Sequence, residues 1–254
     1  MWSSSVQTGE QLSIAGITVQ DLAKEFGTPT FFIDEADFRA RALAWNEALK
    51  AAFGDKAGTV YYASKAFACT EVARWIKDLG IGIDVSTGGE MAVALAGGID
   101  PKKIEVHGNN KSVAEIEKAI SVGVETIVID SMYEIDRVAT AAAKAGKVQR
   151  VLLRLTPGIE AHTHESIATA HEDVKFGFSI ASGAAWSAII AVHKQSSLEL
   201  RGFHAHIGSQ IFGFESFEIL AERHEPVHGV VAPGDAGKHV LHVLCAFLSF
   251  KVSH

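Results

Sequence analysis

The chain has little of several features that define other classes of protein. Of its 254 residues, two are cysteine and five are proline. Cys69 and Cys245 are too few to form a disulfide framework, which favours a reducing compartment. Charges or glycines interrupt the apolar stretches well before the roughly 18 residues that a membrane helix needs. The polar start of the chain has neither a basic beginning nor an apolar core, so we expect no secretory signal and a soluble, cytoplasmic protein.

Basic charge is also scarce. Lys and Arg number 23 against 30 Asp and Glu, which gives a formal net charge of −7. Nucleic-acid binding needs a basic surface, so we expect no nucleic-acid partner. A hydrophobic fraction of 48% and a charged fraction of 21% are ordinary for a globular domain, and they exclude a disordered or collagen-like chain.

One pattern repeats between Gly58 and about Gly208. A short β-branched run is followed by a glycine or small polar residue, then by an Ala-rich stretch with helical spacing. This alternation predicts right-handed βαβ units and a parallel sheet, at about the spacing of a (β/α) TIM-type barrel. No Gly-x-Gly-x-x-Gly follows the first strand, which disfavours a dinucleotide-binding fold. The predicted strands are residues 59–65, 81–85, 104–107, 126–129, 151–155 and 198–206. Among the helices predicted between them, one is opened by Ser112 with Glu115 as a capping box, and the last spans residues 179–193.

These patterns divide the chain into three expected regions. Residues 1–57 form an N-terminal accessory segment, with a helix at 19–26, a strand at 30–33 and a helix at 35–52. Residues 58–223 form an incomplete barrel with six of the eight strand units. Residues 224–254 do not continue the rhythm and hold five of the chain's twelve histidines. We expect them to be a tail foreign to the barrel.

Polar side chains end most of the predicted strands, at the positions where a parallel barrel carries its functional groups. Lys65 is the most informative, because a desolvated lysine that closes an apolar strand can lose its proton and attack a carbonyl carbon. A surface lysine that begins a loop explains its position equally well. The strand-ending residues are Lys65, Asp84, His107 with Asn109, Asp130, Arg154, and His206 with Ser209.

Two features invite a metal interpretation that their spacing does not support. His204 and His206 face the same way on a strand, but two ligands are too few for a site, so we expect one packed and one pocket histidine. The His- and acid-rich stretch at residues 160–173 matches no closed ligand set and is expected to be a solvated loop. No metal site is predicted. Gly208 and Ser209 give a weak signal for anion binding.

Several segments in a fixed order carry a resemblance to a known family. They are Gly27-Thr28-Pro29, Tyr62-Ala63-Ser64-Lys65-Ala66, Ile83-Asp84-Val85-Ser86 leading to Gly89-Glu90, His107-Gly108-Asn109-Asn110-Lys111, Pro157-Gly158-Ile159-Glu160-Ala161-His162, Lys175-Phe176-Gly177-Phe178 and His206-Ile207-Gly208-Ser209-Gln210. From about Ile14 to Arg223 the chain resembles the diaminopimelate decarboxylases, pyridoxal-phosphate enzymes of the alanine-racemase-like barrel class. The segment that begins at His107 resembles the actinobacterial branch.

The resemblance implies a pyridoxal 5'-phosphate cofactor and a role for each matching residue. Lys65 matches the lysine that bonds covalently to the cofactor, His206 the histidine that stacks on its pyridine ring, and Ser209 the hydroxyl that holds its phosphate. Asp84 and Arg154 resemble residues that line the pocket. The implied reaction converts meso-2,6-diaminopimelate to L-lysine and carbon dioxide, the last step of lysine biosynthesis.

The sequence departs from the family after Arg223. Family members continue with two more barrel strands and a β-rich domain, which carry a glycine-rich phosphate loop, a Glu-Pro-Gly-Arg segment and a Cys-Glu motif supplied across a homodimer interface. None of these segments occurs in this sequence. We therefore expect a truncated chain with open sheet edges, weak cofactor affinity and impaired decarboxylation.

Two other functions stay open at this point. An ornithine or arginine decarboxylase of the same barrel class would share the Lys65 and His206 segments, but not the runs that begin at His107 and Glu160. A non-catalytic barrel that binds pyridoxal phosphate would capture the cofactor on Lys65 and turn over no amino acid.

Overall fold

The N-terminal part of the chain forms a small sheet and two helices. The computed structural model describes residues 5–9, 11–56, 58–156, 175–206 and 240–243. Strands β1 (Ser5–Thr8), β2 (Gln11–Ile14) and β3 (Ile17–Thr18) form an antiparallel sheet. Helices α1 (Val19–Phe26) and α2 (Glu35–Phe53) follow, each opened by a side chain, Thr18 and Asp34, that accepts main-chain N–H hydrogen bonds.

This segment differs from its sequence prediction in two places. The β1–β3 sheet was not predicted, whereas α1 was predicted with its observed bounds. The predicted strand at residues 30–33 is wrong, since these residues have no regular structure. Their apolar run is typical of a strand, but no strand in the described ranges pairs with it, and Phe31 is 93% exposed.

The rest of the described chain builds a parallel sheet. Its hydrogen-bonded order is β4-β5-β6-β7-β8-β10-β11, and short β9 pairs with β8. β5, β6 and β7 are buried at every residue, as expected for a parallel sheet covered on both faces. The strands are β4 (Tyr61–Ala63), β5 (Gly82–Val85), β6 (Ile104–Val106), β7 (Thr126–Ile129), β8 (Gln149–Thr156), β9 (Phe178–Ser179), β10 (Leu198–Ala205) and β11 (Val240–Val243).

Helices alternate with these strands and cover the sheet. They are α3 (Thr70–Leu79), α4 (Gly88–Ala96), α5 (Val113–Val122), α6 (Met132–Lys144) and α7 (Ala184–His193). The capping box predicted from Ser112 and Glu115 is confirmed, and Thr87 with Glu90 forms a second one. Within the described ranges, the helices are too short or too polar to cross a bilayer.

The strand predictions hold with three corrections. β4 ends at Ala63, and a 3₁₀ turn over Ser64–Ala66 carries Lys65, so this lysine follows the strand instead of closing it. α7 begins at Ala184, five residues later than predicted, because Ser179 belongs to β9 and residues 180–183 form a turn. A seventh parallel strand, β11, pairs with β10 from Gly202↔Val240 to Ala205↔Val243. The six-strand count missed it, although its apolar run suits the open edge of β10.

The contact between α3 and α4 leaves no room for one further carbon atom. Gly97 ends α4 with ordinary right-handed backbone angles. A Cβ atom built on Gly97 would lie 2.3 Å from Cβ of Ala73, which is 1% exposed within α3. Gly89 lies in the same helix, and its built Cβ would meet nothing closer than Oγ1 of Thr87 at 3.8 Å.

The pair of glycines gives a matched test of this packing. We expect Gly97→Ala to lower the free energy of unfolding by about 1–3 kcal/mol, because the added methyl group overpacks the helix contact. We expect Gly89→Ala to be neutral or to stabilise by up to about 1 kcal/mol, because alanine is the better helix former. Urea denaturation of both variants measures the difference, and equal effects would contradict this packing.

Candidate functional site

The carboxyl ends of the parallel strands bring most of the predicted residues to one place. Lys65 follows β4, and His206 follows β10, 141 positions further along the chain. Nζ of Lys65 lies 2.7 Å from Nε2 of His206. Ser209 and the loop at residues 160–173 lie outside the described residues. Their predicted roles stay predictions.

The amine of Lys65 is poorly solvated even though the residue as a whole is exposed. Protein atoms around Nζ exclude water and lower the pKa of this lysine. The negative charge of Asp84 opposes the shift, and the positive charge of Arg154 adds to it. The main chain of the lysine turn is held from β5, because the N–H of Ser64 donates to Oδ1 of Asp84 at 3.3 Å.

His206 is held in its neutral form. Burial lowers the pKa of His206 to about 3, and Lys65, Arg154 and His107 act in the same direction. A neutral imidazole can sit beside an amine, whereas two cations at this distance would repel each other. The contact between Lys65 and His206 therefore requires that at most one of them carries a proton charge.

Asp84 supplies the buried carboxylate of the site. It is 3% exposed, and burial raises its pKa, an effect that His107 opposes and Glu105 reinforces. Oδ2 of Asp84 and Oγ of Ser64 are buried and have no hydrogen-bond partner within the described part of the chain. Most buried polar atoms are paired, so two orphaned oxygens beside the lysine turn indicate a place for a water molecule or a bound group.

Arg154 is fixed by contacts on two sides. Its Nη1 lies 3.6 Å from Oδ1 of Asp130, and its guanidinium carbon lies 4.2 Å from the centre of the Phe176 ring. The N–H of Gly177 donates to the other oxygen of Asp130 at 3.1 Å. Burial lowers the pKa of Arg154, and Asp130 opposes that shift. These contacts restrict the orientation of the guanidinium group.

A buried polar cluster lies next to Asp84, and one of its members, Glu105, was not predicted. Oε1 of Glu105 is 2.8 Å from Nε2 of His107, whose ring meets His204 edge-on with centroids 4.8 Å apart. All three are less than 9% exposed. The expectation of one packed and one pocket histidine agrees with His204 at 0% exposed and His206 beside Lys65. Since side chains alternate along a strand, Glu105 and His107 share a face, a signal that the strand-end rule overlooks.

We expect the neutral state of His206 to make the stability of the chain depend on pH. The folded pKa of about 3 lies below the ordinary value of 6.5. Between these values the unfolded chain binds more protons at this residue, so the free energy of unfolding falls as the pH drops from 6.5 toward 3. His206→Gln should flatten that fall, which urea titrations at a series of pH values measure. An equally steep fall in the variant would contradict a depressed pKa.

Comparison with known proteins identifies the class to which this site belongs. Residues 35–233 match the family described as "Pyridoxal-dependent decarboxylase, pyridoxal binding domain", and this match covers well over half of the chain. The chain therefore belongs to that family, and pyridoxal phosphate is the family's cofactor. The match runs past Arg223, where the resemblance was expected to end.

Within this family, the chain is similar to diaminopimelate decarboxylases. The chain is 56% identical to the diaminopimelate decarboxylase of Mycobacterium tuberculosis (strain H37Rv) over 83% of this chain and 46% of that protein. It is 55% identical to the enzyme of Mycobacterium leprae, over 83% and 43%. The crystal structure of diaminopimelate decarboxylase "from m. jannaschii in co-complex with L-lysine" superimposes with a TM-score of 0.83 at 27% identity, covering 95% of this chain and 56% of that one.

The resemblance to diaminopimelate decarboxylases is thus confirmed, as is an α/β fold with a parallel sheet. The chain spans about half the length of the relatives that it matches.

Proposed function

We propose that the chain binds pyridoxal 5'-phosphate through Lys65 and serves the decarboxylation of meso-2,6-diaminopimelate to L-lysine and carbon dioxide. The observation that carries this proposal is the 2.7 Å contact between the amine of Lys65 and the neutral ring of His206 at the strand ends.

The groups at the site suit this cofactor. An aldehyde needs a primary amine that loses its proton readily, and the pKa of Lys65 is lowered. Anionic oxygens need cations or N–H donors, and Arg154 is a cation within the same cluster. The orphaned oxygens of Ser64 and Asp84 would gain partners from a bound polar group or its waters. When bound, pyridoxal phosphate supplies a conjugated ring that accepts the electron pair released when a Cα–carboxylate bond breaks.

Lys65 acts as the nucleophile that anchors the cofactor. Its amine would hold the aldehyde group of the cofactor, whose oxygen would leave as water, and the low hydration around Nζ keeps a larger fraction of the amine unprotonated at neutral pH. The negative charge of Asp84 limits that depression of the pKa. Asp84 and Arg154 therefore adjust, in opposite directions, a pKa of Lys65 that burial chiefly lowers.

His206 provides an uncharged aromatic surface. With its pKa at about 3, the imidazole stays neutral at the pH where Lys65 reacts. A neutral ring can pack against the cofactor ring without adding a charge to it. Ser209, three positions further on, is proposed to hold the phosphate, as the family resemblance implies.

The substrate is proposed from the relatives. The mycobacterial proteins at 55–56% identity are named diaminopimelate decarboxylases, and one similar structure is titled as a complex with L-lysine. A lysine/ornithine decarboxylase structure from Vibrio vulnificus is similar with a TM-score of 0.61 at 21% identity, which supports the fold alone. An ornithine- or arginine-type activity therefore has weaker support.

The setting of this activity is proposed from composition. The net charge of −7 and the amino-acid substrate class favour a cytoplasmic protein without a nucleic-acid partner. A homodimer is the assembly implied for full-length members of the family.

We expect Lys65→Ala to abolish covalent capture of the cofactor. The chain is incubated with pyridoxal phosphate and borohydride, and the labelled peptide is identified by mass spectrometry. Lys102→Ala is the matched control, since Lys102 is an exposed lysine in the turn before β6. It should leave labelling at Lys65 unchanged. Equal labelling of the Lys65→Ala variant would place the anchor elsewhere.

A substrate panel tests the proposed reaction. We expect the purified chain with pyridoxal phosphate to release carbon dioxide faster from meso-2,6-diaminopimelate than from L-ornithine or L-arginine. Labelled carbon dioxide is the readout, and the Lys65→Ala variant gives the background. Preference for ornithine or arginine would overturn the proposed substrate, and capture without any turnover would favour the non-catalytic alternative.

A further inference from the structure

A buried ion pair lies behind the site, between the ends of β6 and β7. Nζ of Lys111 is 3.1 Å and 3.0 Å from the two carboxylate oxygens of Glu134. Lys111 is 3% exposed and Glu134 is 4% exposed. Replacing a buried ion pair of this kind by apolar residues is often neutral for stability, so stability alone is weak grounds for its presence.

The main-chain contacts of the pair indicate what it does. Nζ of Lys111 also donates to the carbonyl oxygens of Gly108 and Val128, each at 2.6 Å. Oε2 of Glu134 accepts the N–H of Asp130 at 2.8 Å. The pair therefore ties the loop after β6 to the end of β7 and fixes the backbone of Asp130.

Asp130 extends this network to the site. One oxygen of its carboxylate faces Nη1 of Arg154 at 3.6 Å, and the other accepts the N–H of Gly177 at 3.1 Å. The ring of Phe176 closes over the guanidinium. Arg154 adds to the effect of burial in lowering the pKa of both Lys65 and His206. A shift of Asp130 would therefore move Arg154 and change the pKa of Lys65.

We propose that Lys111 and Glu134 are positioning residues, which hold Asp130 so that its carboxylate keeps Arg154 beside Lys65 and His206. This inference deepens the proposed function and rests on it for the part played by Arg154. Lys111 and Glu134 act through Asp130 and do not themselves touch the cofactor.

The experiment measures how readily Lys65 captures pyridoxal phosphate as a function of pH, with borohydride trapping and peptide mass spectrometry on the full chain. In Glu134→Gln, direct electrostatics would lower the apparent pKa of Lys65, because a negative charge is lost. Displacement of Arg154 would raise it, because a positive charge moves away. We expect a rise, together with cofactor affinity weaker by about tenfold, the size of one lost charge-assisted hydrogen bond.

Two further variants separate positioning from other causes. Arg154→Met should raise the apparent pKa of Lys65 at least as much, and Glu134→Gln should add nothing in that background. Glu117→Gln is the control, since it breaks an exposed pair between α5 and Lys144 of α6, the helix that also carries Glu134, and it should change neither quantity. Where Glu134→Gln does not fold, the apolar pair Lys111→Met with Glu134→Leu replaces it, and the same rise is expected.

The outcomes distinguish the inference from the proposed function. An unchanged or lowered pKa in Glu134→Gln, or additive effects with Arg154→Met, would overturn the inference while wild-type capture keeps the proposed function intact. Failure of both Glu134 variants to fold would make the pair purely structural and would also overturn it. Absence of capture at Lys65 in the wild-type chain would refute the proposed function, and the inference with it.

Discussion

The contact between Nζ of Lys65 and Nε2 of His206 is possible because the site keeps at least one of the two groups uncharged. An imidazolium next to an ammonium at 2.7 Å would be strongly repulsive in poorly hydrated surroundings. The surrounding protein resolves this by lowering the pKa of each group, chiefly through loss of water. The reactivity proposed for Lys65 is thus a by-product of how the strand ends exclude solvent.

The charges around this contact balance each other. Arg154 lowers the pKa of Lys65, while Asp84 raises it. Both residues are buried, with Asp84 at 3% exposed and Arg154 at 9% exposed. Both charged groups are held in position, since the N–H of Ser64 donates to Asp84 and the carboxylate of Asp130 pairs with Arg154. The lysine therefore responds to charges whose positions are set by main-chain geometry more than by solvent.

Much of the fold could be predicted from the sequence, because parallel strands and their helices leave regular signals. Buried β-branched runs and a Ser112–Glu115 capping box are local features, and they located β5 to β8 and α5 well. β1 to β3 are short, and β11 depends on an edge that only the folded sheet provides. The strand predicted at residues 30–33 failed for the converse reason, since an apolar run without a neighbouring strand is not a strand.

The site divides in the same way. Lys65, Asp84, Arg154 and His206 could be predicted, because they end strands or carry family motifs. Glu105 and Glu134 could not, since one faces the sheet interior and the other lies in the first turn of α6. Glu105 and Glu134 act through contacts with residues elsewhere in the chain, and inspection of strand ends alone cannot reveal such contacts.

The two-sided pairing of β10 has a consequence for the chemistry at its end. β8 pairs with Gly202–His204 and β11 pairs with Gly202–Ala205, so this strand cannot slide without breaking two ladders at once. A slip of one residue would swap its inward and outward faces and carry the imidazole away from the amine. The register of β10 with its two neighbouring strands therefore determines that the ring of His206 is the one that meets Lys65.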